Sequence, residues 1–262
     1  MRRLEDVALD LRARRELLDR AGITWQLLSL SPLWNIDNLP PAEALPLVRA
    51  FNDDTCRAVA DAPLAFAGLA SLPLHDLQAS CKELHRARRG GLCGVILPAD
   101  AFASLHQATR LAPLLREADD LTAHLFVHPG HLHAPSAPAC KPDNWWARAI
   151  VLEAQHQLGA AMLTLCSTSL LDVFPNVSVQ VANLGGAMPF YLERLRAVAA
   201  HDPDEAPDEL RFDMRRIVVD TGSFGRLGIG LARKALGPDK VVLGTDMPVF
   251  DALQAAASMQ ER

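Results

Sequence analysis

The sequence predicts an α/β fold, a (β/α)8-type barrel of parallel strands whose first strand is missing from this chain. Three observations carry that expectation. Short apolar runs alternate with helix-length segments, and the runs are bounded by glycine and proline. Seven such runs occur, and a helix precedes the first of them, whereas an eight-stranded barrel opens on a strand. An open doubly wound sheet is the structural alternative, but SLSPLWNID after the first run is not the Gly-rich phosphate turn such a sheet usually carries there.

Taken in order, residues 4–21 set apolar positions at helical spacing among charged ones. ITWQLLSL (23–30) reads as a buried strand. A helix over 41–61 leads to strand AFAGLASL (65–72), a helix over 75–89 to LCGVIL (92–97), and a helix over 101–118 to LTAHLFVH (121–128). After a Pro-rich loop, helical patterns cover 145–173 and lead to VSVQVA (177–182). A helix over 189–200 leads to RIVVD (216–220), and one over 224–236 to KVVLG (240–244). The stretches 131–146 and 200–213 read as irregular loops, the first leaving the strand ends where barrels carry their chemistry. The whole of 1–262 is expected to form a single barrel domain, incomplete at both ends.

Composition excludes several classes. Half of the 262 residues are hydrophobic, 22% are charged and the net charge is −5, as in a globular protein. No clustered basic face predicts nucleic acid as a partner. No apolar run reaches membrane-spanning length, and MRRLEDVALDLRARRELL lacks the apolar core of a signal peptide. Cys56, Cys81, Cys93, Cys140 and Cys166 are odd in number and lack CxxC spacing, which predicts a reduced, cytoplasmic setting.

Polar residues at the ends of the strands are the candidate site. LFVHPGHLH (125–133) puts three of the nine histidines within six residues, beginning with His128 at the end of a strand. Asn183 ends the next strand and is followed by Leu184-Gly185-Gly186; Asp246 follows the last. A histidine and an aspartate at different strand mouths suit a divalent metal of the zinc or manganese type. A structural histidine capping its loop is the plainer reading of His128. His131 and His133 are read either as candidate substitute ligands or as residues of a solvated loop. Trp145 and Trp146 either wall the pocket or pack at a helix start. Asp220 either lines the pocket or caps the next helix through TGSF. Gly185 and Gly186 are the candidate substrate-binding positions, where the backbone can approach closely.

FAGLASLPLHDLQASCKELHRARRGGLCGVILP (66–98), LFVHP (125–129), FPNVSVQVANLGGAMPFYLERL (174–195) and GPDKVVLGTDMP (237–248) resemble the amidohydrolase-related family that contains aminocarboxymuconate-semialdehyde decarboxylase and γ-resorcylate decarboxylase. LLDRAGITWQLLSLSP (17–32) and AFNDDTCRAVADAP (50–63) extend the likeness over nearly the whole chain. The resemblance implies a barrel of the metal-dependent hydrolase superfamily with one catalytic metal. By the same resemblance, His128 and Asp246 are metal ligands, and Asp246 is catalytic. The family's first strand ends in an HxH or ExH ligand pair, and this chain has no such pair before Leu17. Where the family has a histidine after its sixth strand, this sequence has Asn183, the second catalytic candidate, which orients but does not titrate.

The function expected is therefore a metal-dependent carboxy-lyase or hydrolase acting on a small carboxylated substrate. The cofactor expected is a divalent metal, zinc ahead of manganese, weakly bound or absent because two ligands are fewer than a stable site uses. The alternative is a non-catalytic, degenerate barrel serving as a partner subunit. Unpaired strand edges beside the missing strand predict a homo-oligomer.

Overall fold

The computed structural model describes residues 10–36, 39–132, 143–201, 211–222 and 224–260. Its sheet has seven strands: β1 (Gln26–Leu28), β2 (Phe66–Ala70), β3 (Gly94–Pro98), β4 (His124–His128), β5 (Ser178–Val181), β6 (Ile217–Asp220) and β7 (Val241–Val242). All neighbours are parallel, and the order in the sheet is the order in the sequence. A doubly wound sheet reverses its winding at a switch point, so its strand order cannot be sequential. Sequential order is the winding of a barrel. The two outer strands turn back toward each other, and Gln26 Nε2 of β1 donates to Thr245 Oγ1, just past β7, at 3.3 Å.

The helices lie between the strands as expected. They are α1 (Leu11–Arg20), α2 (Pro41–Asp61), α3 (Leu77–Arg89), α4 (Leu105–Arg110), α5 (Ala112–Asp120), α6 (Ala154–Ser167), α7 (Met188–His201), α8 (Arg226–Leu236) and α9 (Ala252–Gln260). Three start on side-chain caps. Asp10 accepts from the N–H groups of Arg12 and Ala13, Asp76 from that of Ala79 and Ser104 from that of Gln107, satisfying donors that have no partner inside the helix. The helix expected over 101–118 is divided into α4 and α5. Pro113 stands in the first turn of α5 and has no N–H with which to continue the ladder. The pattern over 145–173 is likewise divided, into a short α turn, a π-helical stretch Arg148–Glu153, α6 and Leu170–Val173.

Alternation along the strands sorts the residues. Leu125 and Val127 of β4, Val179 and Val181 of β5 and Val219 of β6 are buried in the main apolar core with α6 and α8. The residues between them, Phe126, Gln180 and Val218, are half-buried. β3 is buried at all five positions, whereas every residue of β1 is half-exposed. Of ITWQLLSL only three residues pair, and of KVVLG only two. Each outer strand has a ladder partner on one side only, so an apolar run there outlasts its hydrogen bonds.

A polar cluster braces the β2 end. Glu83 of α3 is fully buried and accepts from Asn52 of α2 at 2.8 Å and from both Arg49 and Arg86. Asn52 also exchanges two hydrogen bonds with the backbone of Ser71. Cys56, Cys81, Cys93 and Cys166 are free thiols, and no helix among the described residues is long and apolar enough to cross a membrane.

Candidate active site

His128 is the last residue of β4 and is 9% exposed. Its Nδ1 lies 3.0 Å from the carbonyl oxygen of Pro129. A carbonyl only accepts, so Nδ1 carries the hydrogen and Nε2 presents a lone pair. Burial lowers the pKa of His128, against the Pro129 carbonyl and the Asp246 carboxylate, which raise it. The imidazole is thus held neutral, the form that binds a metal or accepts a proton.

Asp246 follows β7 with a left-handed backbone, φ 52°. Burial raises its pKa, and His128 opposes that rise. Strand ends that are 118 residues apart in the sequence therefore bring these two side chains near enough for each charge to act on the other.

Asp220, at the end of β6, is the second carboxyl group. It is 3% exposed and is pushed up to about 6, chiefly by burial, with Asp246 adding like-charge repulsion. Gln180 Nε2 donates to its Oδ2 at 2.6 Å, and the Asn183 N–H to its Oδ1 at 3.1 Å. It therefore lines the strand mouth. It does not cap α8, whose N-cap is Gly225 with no side-chain hydrogen bond. Gln180 escaped the sequence reading. Its signal was a lone amide alternating with valines inside a strand, the position that faces Asp220 rather than the helices.

The raised pKa makes stability depend on pH. The unfolded chain gives up this proton near the ordinary value of 3.8, and the folded chain near 6. Between those values the folded state binds more protons, so stability falls as pH rises, by about 3 kcal/mol in all, and is level above. Asp220→Asn should remove this slope, so denaturant titrations at pH 4, 5, 6 and 7 should show the variant gaining on the parent up to pH 6. Parallel slopes would refute the assignment.

Asn183 begins a run of left-handed residues, Asn183, Leu184, Gly185 and Gly186. Its Oδ1 is buried without a hydrogen-bond partner among the described residues. Gly185 and Gly186 meet α6. A Cβ on Gly186 would lie 2.4 Å from the Gln155 carbonyl oxygen and 2.7 Å from the Gly159 nitrogen, and one on Gly185 2.9 Å from Met162. The role visible for this pair is close packing of the strand-end turn on a helix.

His131 is engaged elsewhere. Its Nδ1 is 3.4 Å from Asp100 Oδ2, and its Nε2 accepts from Gln157 Nε2 at 3.0 Å. Gln157, itself buried, also accepts from the Gly130 N–H at 3.2 Å. The turn after His128 is thus pinned to α6, and His131 would have to leave both partners to reach an ion. His133 lies outside the described residues. Trp145 is half-exposed at the start of a helical turn. Nothing is assigned to the side chain of Trp146.

The donor set can now be tested against a metal. His128 Nε2 and the Asp246 carboxylate are two donors, where a catalytic zinc site uses three protein ligands. Among the described residues no group of three or more His, Cys, Asp or Glu side chains is placed to hold an ion. The residues described do not complete a metal site.

Residues 30–254 match the amidohydrolase family. The chain is 27% identical over 255 residues to the 2-amino-3-carboxymuconate-6-semialdehyde decarboxylase of Dictyostelium discoideum, covering 94% of this chain and 69% of that protein. It superposes on 2,6-dihydroxybenzoate decarboxylase from Rhizobium with a TM-score of 0.74 at 22% identity, covering 93% of this chain and 79% of that one. On 5-carboxyvanillate decarboxylase from Novosphingobium aromaticivorans, solved with manganese and 4-hydroxy-3-methoxy-5-nitrobenzoic acid, the TM-score is 0.77 at 21% identity, covering 99% and 77%.

Proposed function

The chain belongs to the amidohydrolase family, and from that premise we propose that it is a carboxy-lyase acting on a small carboxylated substrate, an aromatic acid in the first instance. The observation that carries this reading is the pairing of a neutral, buried His128 with a desolvated Asp246 at the ends of strands β4 and β7. Burial raises the pKa of Asp246, which suits it to carry a proton, and the role assigned to it is proton donor. The bond from ring carbon to carboxylate breaks, the electron pair stays on the carbon, Asp246 protonates that carbon, and carbon dioxide leaves. Asn183 orients the substrate without titrating. A hydrolase of the same family is the nearest competitor.

Support for a divalent ion comes from the manganese in the related structure, which gives no support to zinc ahead of manganese. With two donors, His128 and Asp246, the ion would be held weakly. After dialysis the purified chain should retain well under one equivalent of zinc or manganese. Carbon dioxide release from 2,6-dihydroxybenzoate should be sought with and without added Mn²⁺. The non-catalytic reading is favoured by one observation, the incomplete donor set. Release at background under both conditions would establish it against the lyase. Stoichiometric metal after dialysis would instead point to further ligands, with His131 and His133 the first to substitute. The one-sided pairing of β1 and β7 supports self-association, and a monodisperse monomer in light scattering at micromolar concentration would count against it.

A further inference from the structure

Arg14 is the unusual cation of this fold. It points from α1 into the seam between the outer strands and is 8% exposed. Nη1 donates to Gln26 Oε1 at 3.0 Å, while Nε is buried without a partner. Among the described residues no carboxylate pairs with it, unlike Arg15, Arg49, Arg57, Arg86, Arg211 and Arg215. Burial lowers its pKa, and no charge among the described residues offsets that.

A guanidinium taken out of water without a counter-charge is costly, and only a paired, hydrogen-bonded anion offsets that cost. The fork of Arg is shaped for one, since two parallel N–H groups match the two oxygens of a carboxylate. Gln26 and Thr245, which bridge the seam, are both half-buried, so the seam is in contact with solvent. The Arg14–Gln26–Thr245 chain also ends one residue before Asp246.

We propose that Arg14 is a carboxylate-binding residue, and that the seam between β1 and β7 admits the carboxylate of a small molecule onto its guanidinium. The proposal rests on the lyase reading only in taking the substrate as that molecule. Gln26, bonded to Arg14 on one side and Thr245 on the other, fixes Nη1 of the fork.

The test is calorimetry on the full chain treated with EDTA, using three probes. These are 2,6-dihydroxybenzoate, formate as the smallest carboxylate, and resorcinol as the ring without the acid. The two carboxylates should bind and resorcinol should not. Arg14→Met should weaken 2,6-dihydroxybenzoate roughly 10- to 100-fold, the worth of a hydrogen bond to a charged group, with Arg14→Lys in between. Thermal melts separate a binding role from a structural one. Without ligand, Arg14→Met should melt higher than the parent, because an uncompensated buried charge has gone. It should also lose the rise in Tm that the carboxylate gives the parent. A lower Tm with the ligand response intact would make Arg14 structural and overturn the proposal, as would unchanged affinity. Binding that appears only as protein concentration rises would assign the anion to a second copy, which also overturns it. If the Met variant fails to fold, the Arg14 Nε–H resonance of the ¹⁵N-labelled parent should move on titration with formate, and an unmoved resonance refutes the site. Arg14-dependent binding without carbon dioxide release would sink the lyase reading and leave this inference standing. Carbon dioxide release by Arg14→Met at an unchanged KM would do the reverse.

Discussion

Asp246→Asn should lower kcat/KM for 2,6-dihydroxybenzoate by roughly 10²–10⁴-fold, the range for losing a positioned general acid. The substitution keeps the size of the side chain and removes its proton and charge. Asp246 is desolvated in the fold, and burial raises its pKa, so a neutral amide should cost the fold little and Tm should hold. A loss of activity with an unchanged melt separates chemistry from collapse. A readout independent of turnover comes from His128. The Asp246 carboxylate raises the pKa of that imidazole, so in Asp246→Asn the ring should stay neutral to a lower pH, as followed by NMR titration. Activity within a factor of about ten of the parent would remove Asp246 from the proton-donor role. An unmoved His128 titration would show that the two side chains do not share a site.

What the sequence disclosed follows from what kind of signal each feature leaves. The inner strands were legible because a parallel strand covered on both sides must be apolar throughout, as at Gly94–Pro98. The outer strands were over-read. The apolar run at 23–30 lies at the edge of the sheet, where every residue is half-exposed or exposed, and pairing depends on a neighbour that only Gln26–Leu28 have. The strand-end positions of His128 and Asp246 were legible because strand ends are marked by the turn residues beside them. Asp220 was half-legible; its position was clear, but the choice between pocket and helix cap depends on Gln180 and Asn183, 40 and 37 residues away. Arg14 falls among the charged positions of the helical pattern over 4–21. Nothing local distinguishes a solvated arginine from one that the fold turns inward onto Gln26. The sequence leaves His131 between substitute ligand and solvated loop, because it cannot show that Asp100 and Gln157 converge on its ring.

Gly222→Ala should damage both fold and site. Gly222 follows β6 with φ 40°, a region that side chains with a Cβ rarely adopt. An added Cβ would lie 1.9 Å from Asn183 Oδ1 and 2.9 Å from Asn183 Cα. The first contact is a side-chain tip, which could swing aside. The second is backbone, and it belongs to the residue whose N–H is bonded to Asp220. Relieving it means moving the turn after β5 away from the end of β6, which breaks that hydrogen bond and disturbs the Gly222 N–H that also supports Asp220. A strained backbone costs about 1–3 kcal/mol, and an unsatisfied buried partner about 1–3 kcal/mol more. The variant should therefore lose roughly 2–5 kcal/mol in denaturant titration. The deficit should be larger at pH 7 than at pH 4, because an ionised Asp220 depends on those donors more than a protonated one does. Asn183→Gly, made in the Gly222→Ala background, should recover part of the loss by removing the side chain that the new methyl meets. If Gly222→Ala alone is as stable as the parent, the turns after β5 and β6 are not in contact, and Asn183 lies outside the site that Asp220 and Asp246 share.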